Sequence, residues 1–337
     1  MNVLATGGAG FIGSNFVRYM LNKYPQYKVV NYDLLTYAGN LENLQDVADN
    51  PQYRFIKGDI NNQQFLDFIV KKYEIHTIVN FAAESHVDRS IIDPGLFIKT
   101  NVLGTQVLLD VAKENSIEKY IQISTDEVYG SLGETGYFTE ETPLSPNSPY
   151  SASKASADLL VKAYYETYGL DINITRCSNN YGPYHFPEKL IPLMITNSLE
   201  EKELPIYGDG ENIRDWLHVT DHCSAIDLVI HKGSPGEIYN IGGQNERTNN
   251  EIVQKIIETL SVSHDLIKHI ADRLGHDRRY AIDPKKIMKL GWVPQYNFDR
   301  GIEETIEWYV HNQNWWKNIK SGEYMNFYQR QYGESHE

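Results

Sequence analysis

Two adjacent carboxylic acids, Asp126 and Glu127, close the run Ile121-Gln122-Ile123-Ser124-Thr125-Asp126-Glu127-Val128-Tyr129-Gly130. The run opens as an apolar, β-branched segment of the buried-strand kind. It ends in a hydroxyl and two carboxylates. In an open parallel sheet the carboxyl ends of strands form the ligand crevice, so such a pair would be lifted out of the core and presented to a substrate. An isolated acidic dipeptide more often merely closes a loop; the surroundings of this one argue for chemistry. Downstream, Tyr150-Ser151-Ala152-Ser153-Lys154 opens a helix after the turn-rich Pro143–Pro149 segment. Tyr and Lys at i and i+4 share a helix face. A free tyrosine titrates near about 10, and a cation within about 4–6 Å lowers that by roughly 1–3 units. Tyr150 would then be a base for a substrate hydroxyl at neutral pH.

A third constellation lies at the start. The short strand Val3-Leu4-Ala5 runs into Thr6-Gly7-Gly8-Ala9-Gly10-Phe11-Ile12-Gly13-Ser14, with glycines at 7, 10 and 13, and a helix is expected over Phe11–Lys23. Strand, spaced glycines and helix together form a dinucleotide fingerprint: a tight turn, a close approach of backbone to pyrophosphate, and close helix–strand packing. The helix start offers free N–H groups to phosphate. The second strand, Lys28–Tyr32, ends in Asp33, twenty residues after Gly13. A carboxylate there accepts from a ribose 2′-hydroxyl and repels a 2′-phosphate, which favours NAD over NADP.

These groups need a scaffold, and the chain alternates strand and helix. Strands are expected at Tyr53–Gly58, Thr77–Phe81 and Asp171–Arg176, with helices at Gln63–Tyr73 and from Pro94 to about Asn115. That alternation implies a Rossmann-type, right-handed, doubly wound parallel sheet of the α/β class. Asp59-Ile60 at the third strand's end could flank an adenine, and the small Ala82-Ala83 would let a cofactor lie against backbone. A smaller C-terminal α/β unit for substrate is expected to follow. The division is residues 1–180 plus about 221–241 for the cofactor, and about 181–220 plus 242–337 for the substrate.

Composition narrows the function classes. The chain has 337 residues and a formal net charge of −14, against a general nucleic-acid or anionic-membrane surface. An anionic ligand would need local cations, and Asp272–Tyr280 concentrates them in an acidic chain. Two cysteines, Cys177 and Cys223, make no disulfide framework and point to a reducing compartment. The N-terminus goes straight into a strand, without the features of a signal peptide, and no apolar stretch is long enough to span a bilayer. A cytoplasmic protein without a metal is expected. The helix from Tyr150 carries Ala152, Ala155, Ala157, Leu159, Leu160, Val161, Ala163, Tyr164, Tyr165 and Tyr168. This apolar set is wider than one core-facing stripe and predicts a second buried face, supplied by a two-fold partner in a homodimer.

Taken together, the glycine loop, Asp33 with Leu35-Thr36-Tyr37-Ala38-Gly39-Asn40, Ala82–Ser90, Thr125–Gly130, Tyr150-x-x-x-Lys154, Arg176–Pro192 and Asp272–Asp283 resemble the extended short-chain dehydrogenase/reductase superfamily. Within it the chain is similar to the dTDP-glucose 4,6-dehydratase family over nearly its full length. The sugar-nucleotide 4-epimerases share the glycine loop and Tyr-x-x-x-Lys but typically carry small or hydroxyl residues in place of the acid pair. A 4-epimerase, which releases no water, and a non-catalytic NAD-sensing scaffold are the alternative readings.

The resemblance implies that Tyr150 takes the proton of the sugar C4 hydroxyl as NAD takes the C4 hydride, with Lys154 holding the nicotinamide ribose. Glu127 would remove the C5 proton, protonated Asp126 would protonate the departing C6 hydroxyl, and Thr125 would hydrogen-bond the C4 oxygen. Close acids in a dry site push their pKa values apart, as such a division requires. NAD contacts are implied from Gly7, Gly10, Phe11, Ile12, Gly13, Asp33, Leu34, Leu35, Thr36, Asp59, Ile60, Phe81, Ala82, Ala83, Ser85, Thr100, Tyr150, Lys154 and Asn180. Contacts to dTDP-glucose are implied from Ser85, Thr125, Asn179, Lys189, Leu190, Pro205, Ile206, Tyr207, Arg214, Asn249, Arg273 and His276. Relatives tend to have Pro where this chain has Leu274. The helix from Pro94 is expected to join the Tyr150 helix in a four-helix dimer interface.

Overall fold

The computed structural model describes residues 1–272 and 275–321. Seven strands form one sheet: β1 (Asn2–Thr6), β2 (Lys28–Asp33), β3 (Tyr53–Lys57), β4 (Thr77–Asn80), β5 (Lys119–Thr125), β6 (Ile172–Cys177) and, after two intervening strands and a third, β10 (Ile238–Ile241). The intervening strands are β7 (Asn179–Tyr181), β8 (Leu204–Tyr207) and β9 (Ile213–His218); β11 (Glu246–Thr248) and β12 (Ile267–Ile270) follow. The large sheet has the order β10-β6-β5-β4-β1-β2-β3, and every neighbouring pair is parallel. Strand order reverses between β1 and β4, so the ligand crevice is expected above that point.

Alternation along the strands explains why both faces are covered. On β1, Val3 and Ala5 pack into one apolar layer and Leu4 into the other. Val29 and Val30, Val79 and Ile78, and Ile121 and Tyr120 divide in the same way. A polar ladder crosses the sheet near its carboxyl edge: Thr6 Oγ1 donates to Asn80 Oδ1 (2.6 Å), and Asn80 Nδ2 donates to Gln122 Oε1 (3.0 Å). The smaller part of the chain forms a three-stranded sheet, β11-β9-β7, and the pair β12-β8, around a separate apolar cluster that includes Ile191, Ile206, Trp216, Ile256 and Trp316.

The helix carrying Tyr150 runs over Pro149–Tyr168, started by a Ser148–Ser151 capping box and ended by Gly169 at φ 67°. The helix expected from Pro94 carries a local change. Helical turns over Pro94–Phe97 and Gly104–Glu114 are joined by a wider π turn, Ile98–Leu103. Such turns recur at functional sites, and this one carries Asn101. The short helix Val87–Ile92 and strands β7, β9, β10, β11 and β12 add to the elements read from sequence. No helix among the described residues is long and apolar enough to cross a membrane.

Candidate active site

The glycine turn after β1 is built by exclusion of side chains. Gly7 has φ +67°, and a Cβ there would lie 2.6 Å from the Ala82 amide nitrogen. A Cβ on Gly13 would collide with the Gly7 carbonyl. Gly10 begins the Phe11–Lys23 helix without a side-chain cap, so the first-turn amides have no competing side-chain acceptor at the cap. The Asp33 carboxylate accepts from the Ala9 amide (2.9 Å) and the Leu35 amide (2.8 Å). Burial raises its pKa, and those two bonds oppose the rise. A tight amide-lined turn beside a fixed carboxylate fits a dinucleotide.

One cleft runs from this turn across the carboxyl edge of the sheet. Its wall contains Gly7, Gly10, Phe11, Ile12, Gly13, Asp33, Leu34, Thr36, Asp59, Ile60, Phe81, Ala82, Ala83, Ser85, Thr100, Asn180, Tyr150 and Lys154 on the expected cofactor side. Thr125, Asp126, Glu127, Asn179, Lys189, Leu190, Pro205, Tyr207, Arg214, Asn249 and His276 line the same cleft. Two expected residues are not in its wall. Leu35, at φ 57°, gives its amide to Asp33. Ile206 alternates with Pro205 and Tyr207 on β8 and so turns into the C-terminal core. Arg273, and the Leu274 departure beside it, lie outside the described residues.

Asp126 and Glu127 sit on a single 3-10 turn, Asp126–Tyr129, directly after β5. The Thr125 hydroxyl caps it by accepting from the Glu127 amide (3.2 Å). Asp126 is 1% exposed, whereas Glu127 is only partly buried. Burial drives the Asp126 pKa well above the usual carboxylate value, and the charges of Glu127 and Asp215 add to this against the opposing Arg214. Burial and the neighbouring charges thus favour the neutral form of Asp126.

Tyr150 faces the same space. Burial raises its pKa well above the ordinary phenol value, Glu127 raises it further, and a hydrogen bond with Thr125 opposes the rise. The expectation that Lys154 lowers the phenol is not what these residues alone produce. Lys154 donates to the Ile123 carbonyl at 2.7 Å, and burial lowers its own pKa.

On the far wall, Lys189 Nζ donates to the Ser85 carbonyl (2.9 Å), and the Tyr207 hydroxyl donates to Asp88 Oδ2 (3.3 Å). Arg214 donates to the Asp277 carbonyl (3.0 Å), and its guanidinium lies over the Tyr280 ring at 4.4 Å. His276 Nδ1 lies 2.6 Å from Asp272 Oδ1. These contacts leave planar and ammonium donors gathered in one region, as an anionic ligand requires.

Two wall-supporting residues escaped the sequence reading. Asn101 donates to the Glu84 carbonyl (3.0 Å) and Ser153 Oγ (2.8 Å) and accepts from the Glu84 amide (2.9 Å). It thereby fastens the loop after β4 to the Tyr150 helix. Its signal was an Asn inside a helix, a poor interior residue unless its amide is used. Glu188 is buried in the cleft wall beside Arg89 (3.3 Å) and His86 (3.8 Å); burial raises its pKa against the opposing charges of Lys189 and Arg89.

Residues 4–305 match the family model described as GDP-mannose 4,6 dehydratase. A dTDP-glucose 4,6-dehydratase of Xanthomonas campestris pv. campestris is 50% identical over 340 residues, covering 95% of this chain and 96% of that protein. The solved dTDP-glucose 4,6-dehydratase from Bacillus anthracis, in complex with NAD, superposes with TM-score 0.90 at 57% identity, covering 95% of this chain and 100% of that one. The Streptomyces venezuelae dTDP-glucose 4,6-dehydratase, with NAD and a second ligand bound, gives TM-score 0.93 at 50% identity, with 95% and 100% covered. Likeness at this level over nearly the whole length places the chain in the dTDP-glucose 4,6-dehydratase family.

Proposed function

We propose that this protein removes water from dTDP-glucose to give the 4-keto-6-deoxy sugar nucleotide, with NAD as a cofactor that ends each cycle as it began. The observation that carries the reading is the acid pair of unequal burial, on one turn, in the cleft that also holds Tyr150 and Lys154. An oxidation alone needs only the tyrosine and lysine; an elimination needs a base and an acid at the same moment.

Bound NAD would supply a hydride acceptor for C4 and a hydride donor for C6, and its cationic ring would favour the ionised tyrosine. Gly7, Gly10 and Gly13 make room for its diphosphate, and Asp33 accepts from its adenine-side ribose. Tyr150 takes the proton of the C4 hydroxyl while Thr125 holds that oxygen, and Lys154 holds the nicotinamide ribose. Oxidation at C4 acidifies the C5 hydrogen, which Glu127 removes. Burial beside Glu127 favours the protonated form of Asp126, which gives its proton to the departing C6 hydroxyl, and Glu127 returns its proton to C5 once C6 is reduced. Asn179, Lys189, Arg214, Asn249 and His276 hold the sugar nucleotide, with Arg273 as a further donor.

Residues 1–180 with 221–241 serve the cofactor, and the remainder of the chain serves the substrate. The chain acts in the cytoplasm as a homodimer, joined through the Pro94–Glu114 and Pro149–Tyr168 helices. Leu159 and Ile98, large apolar side chains left exposed on these helices, support that reading.

The test is incubation with dTDP-glucose deuterated at C4. The expected product is a 4-keto-6-deoxy sugar labelled at C6. Label returned to C4 of a galacto-configured product would make the protein an epimerase.

A further inference from the structure

Arg176 is 3% exposed and takes no part in the chemistry above. It stands near the end of β6, and its guanidinium joins two elements that the mechanism keeps separate. Nε donates to Asp158 Oδ2 at 2.9 Å, on the helix that carries Tyr150 and Lys154. Nη1 donates to the Tyr129 hydroxyl at 2.9 Å, on the turn that carries Asp126 and Glu127. The Tyr129 hydroxyl donates onward to Asn240 Oδ1 at 2.8 Å on β10, and Asn240 Nδ2 donates to the Phe138 carbonyl at 3.2 Å. Arg176, Asp158, Tyr129 and Asn240 are all buried.

A buried ion pair is a poor device for stability alone, since apolar residues of similar volume hold elements together as well or better. What the guanidinium adds is direction: a rigid planar fork fixes two partners relative to one another. Asp158 lies one helical turn after Lys154, on the same face, and its charge opposes the lowering of Lys154 by burial. Tyr129 lies two residues after Glu127. The outer side of the same turn is closed by the Ser145 amide donating to the Val128 carbonyl at 3.0 Å. Gly130, at φ +88°, makes room there, because a Cβ would strike the Ser145 carbonyl. The turn is thus clamped from both sides, and Arg176 supplies the inner clamp.

We propose that Arg176 is a positioning residue that sets the spacing between the Tyr150–Lys154 base and the Asp126–Glu127 acid pair, acting through Asp158 on one side and Tyr129 on the other. The proposal rests on the division of roles given above, with oxidation assigned to the base and elimination to the pair. Releasing the turn should then slow elimination and spare oxidation, because misplacement by about 1 Å costs up to about 100-fold in a positioned step.

Tyr129→Phe removes one hydroxyl and keeps the ring. In single-turnover experiments C4 oxidation should stay within about twofold of the parent, while water loss slows about 10-fold. Reduced-nicotinamide absorbance should accumulate in the steady state, with KM for dTDP-glucose unchanged. The paired replacement Arg176→Met with Asp158→Leu removes the fork but keeps an apolar joint. It should match the parent in melting temperature and share the elimination defect. Elimination within about twofold of the parent in Tyr129→Phe, or an equal fall in both steps, overturns the proposal, as does normal turnover in a folded paired variant. If the paired variant does not fold, Tyr129→Phe decides alone. The double variant Asp126→Asn with Glu127→Gln separates this from the roles beneath it. Continued water loss there sinks the division of roles, whereas its arrest alongside normal elimination in Tyr129→Phe sinks only the proposal for Arg176.

Discussion

Lys154 Nζ donates to the Ile123 carbonyl at 2.7 Å, which registers the cation against the strand that reaches Asp126 three residues later. The bond crosses from helix to sheet and fixes the ammonium at one depth in the cleft. Lys154→Met should abolish C4 oxidation by about 100-fold or more, the scale for losing a group that supports proton transfer. Lys154→Arg should not restore it, because a guanidinium is planar and cannot replace a point donor at that depth. Single-turnover absorbance of the reduced cofactor is the measurement. Oxidation at the parent rate in Lys154→Met would remove Lys154 from the chemistry.

The acid pair should behave in the opposite way. Asp126→Asn with Glu127→Gln preserves shape and removes both titrating protons. C4 oxidation should persist, since Tyr150 and Lys154 are intact, and reduced cofactor should build up. Water loss should fall by roughly 100-fold or more. If no reduced cofactor forms at all, the pair also serves the first step.

Asp126 should also leave a mark on stability. Its folded pKa is raised by burial and then by Glu127. The folded protein therefore binds a proton that the unfolded chain has released above about pH 4. The stability this provides is complete below that pH and is lost as pH rises toward the folded pKa. Asp126→Asn removes the titration, so the parent should lose melting temperature relative to the variant as pH rises from about 5 through the neutral range. A constant difference across that range would mean that Asp126 ionises like a surface carboxylate.

Asp33 holds two backbone amides as well as facing the cofactor side. Asp33→Ala should weaken NAD and also cost about 1–3 kcal/mol of stability from amides left unpaired. Asp33→Asn retains one acceptor and should lose less of the second quantity than of the first. Calorimetric NAD binding and thermal melts separate the two. Preference of the parent protein for NADP by about tenfold would contradict the ribose role, because a carboxylate there repels a 2′-phosphate.

The exposed apolar residues predict self-association. Ile92 is 74% exposed, Leu159 63% and Ile98 52%, on helical segments that pack against one another, and exposed apolar surface of this kind marks an interface. Leu159→Glu with Ile98→Glu should give a monomer by light scattering at micromolar concentration, with the fold retained by circular dichroism. A monomeric parent protein would remove the dimer from the account.

What the sequence determined by itself was local. The glycine turn, the following helix over Phe11–Lys23, Asp33 at its strand end and the shared face of Tyr150 and Lys154 all follow from backbone geometry within one element. There spacing translates directly into direction. The acid turn after β5 was legible for the same reason. Tertiary structure alone decided what crosses between elements. Strand order, set by crossovers and not by neighbouring residues, brings Gly7, Ala82, Thr125, Asn179, Arg214 and His276 around one cleft. Ile206 left the cleft because β8 alternates and its neighbours Pro205 and Tyr207 took the cleft side. The π turn that aims Asn101 at Glu84 and Ser153, and the fork by which Arg176 joins Asp158 to Tyr129, link residues 17 to 52 positions apart. A linear pattern holds no record of such pairs, because each partner is chosen by packing distance and not by local period.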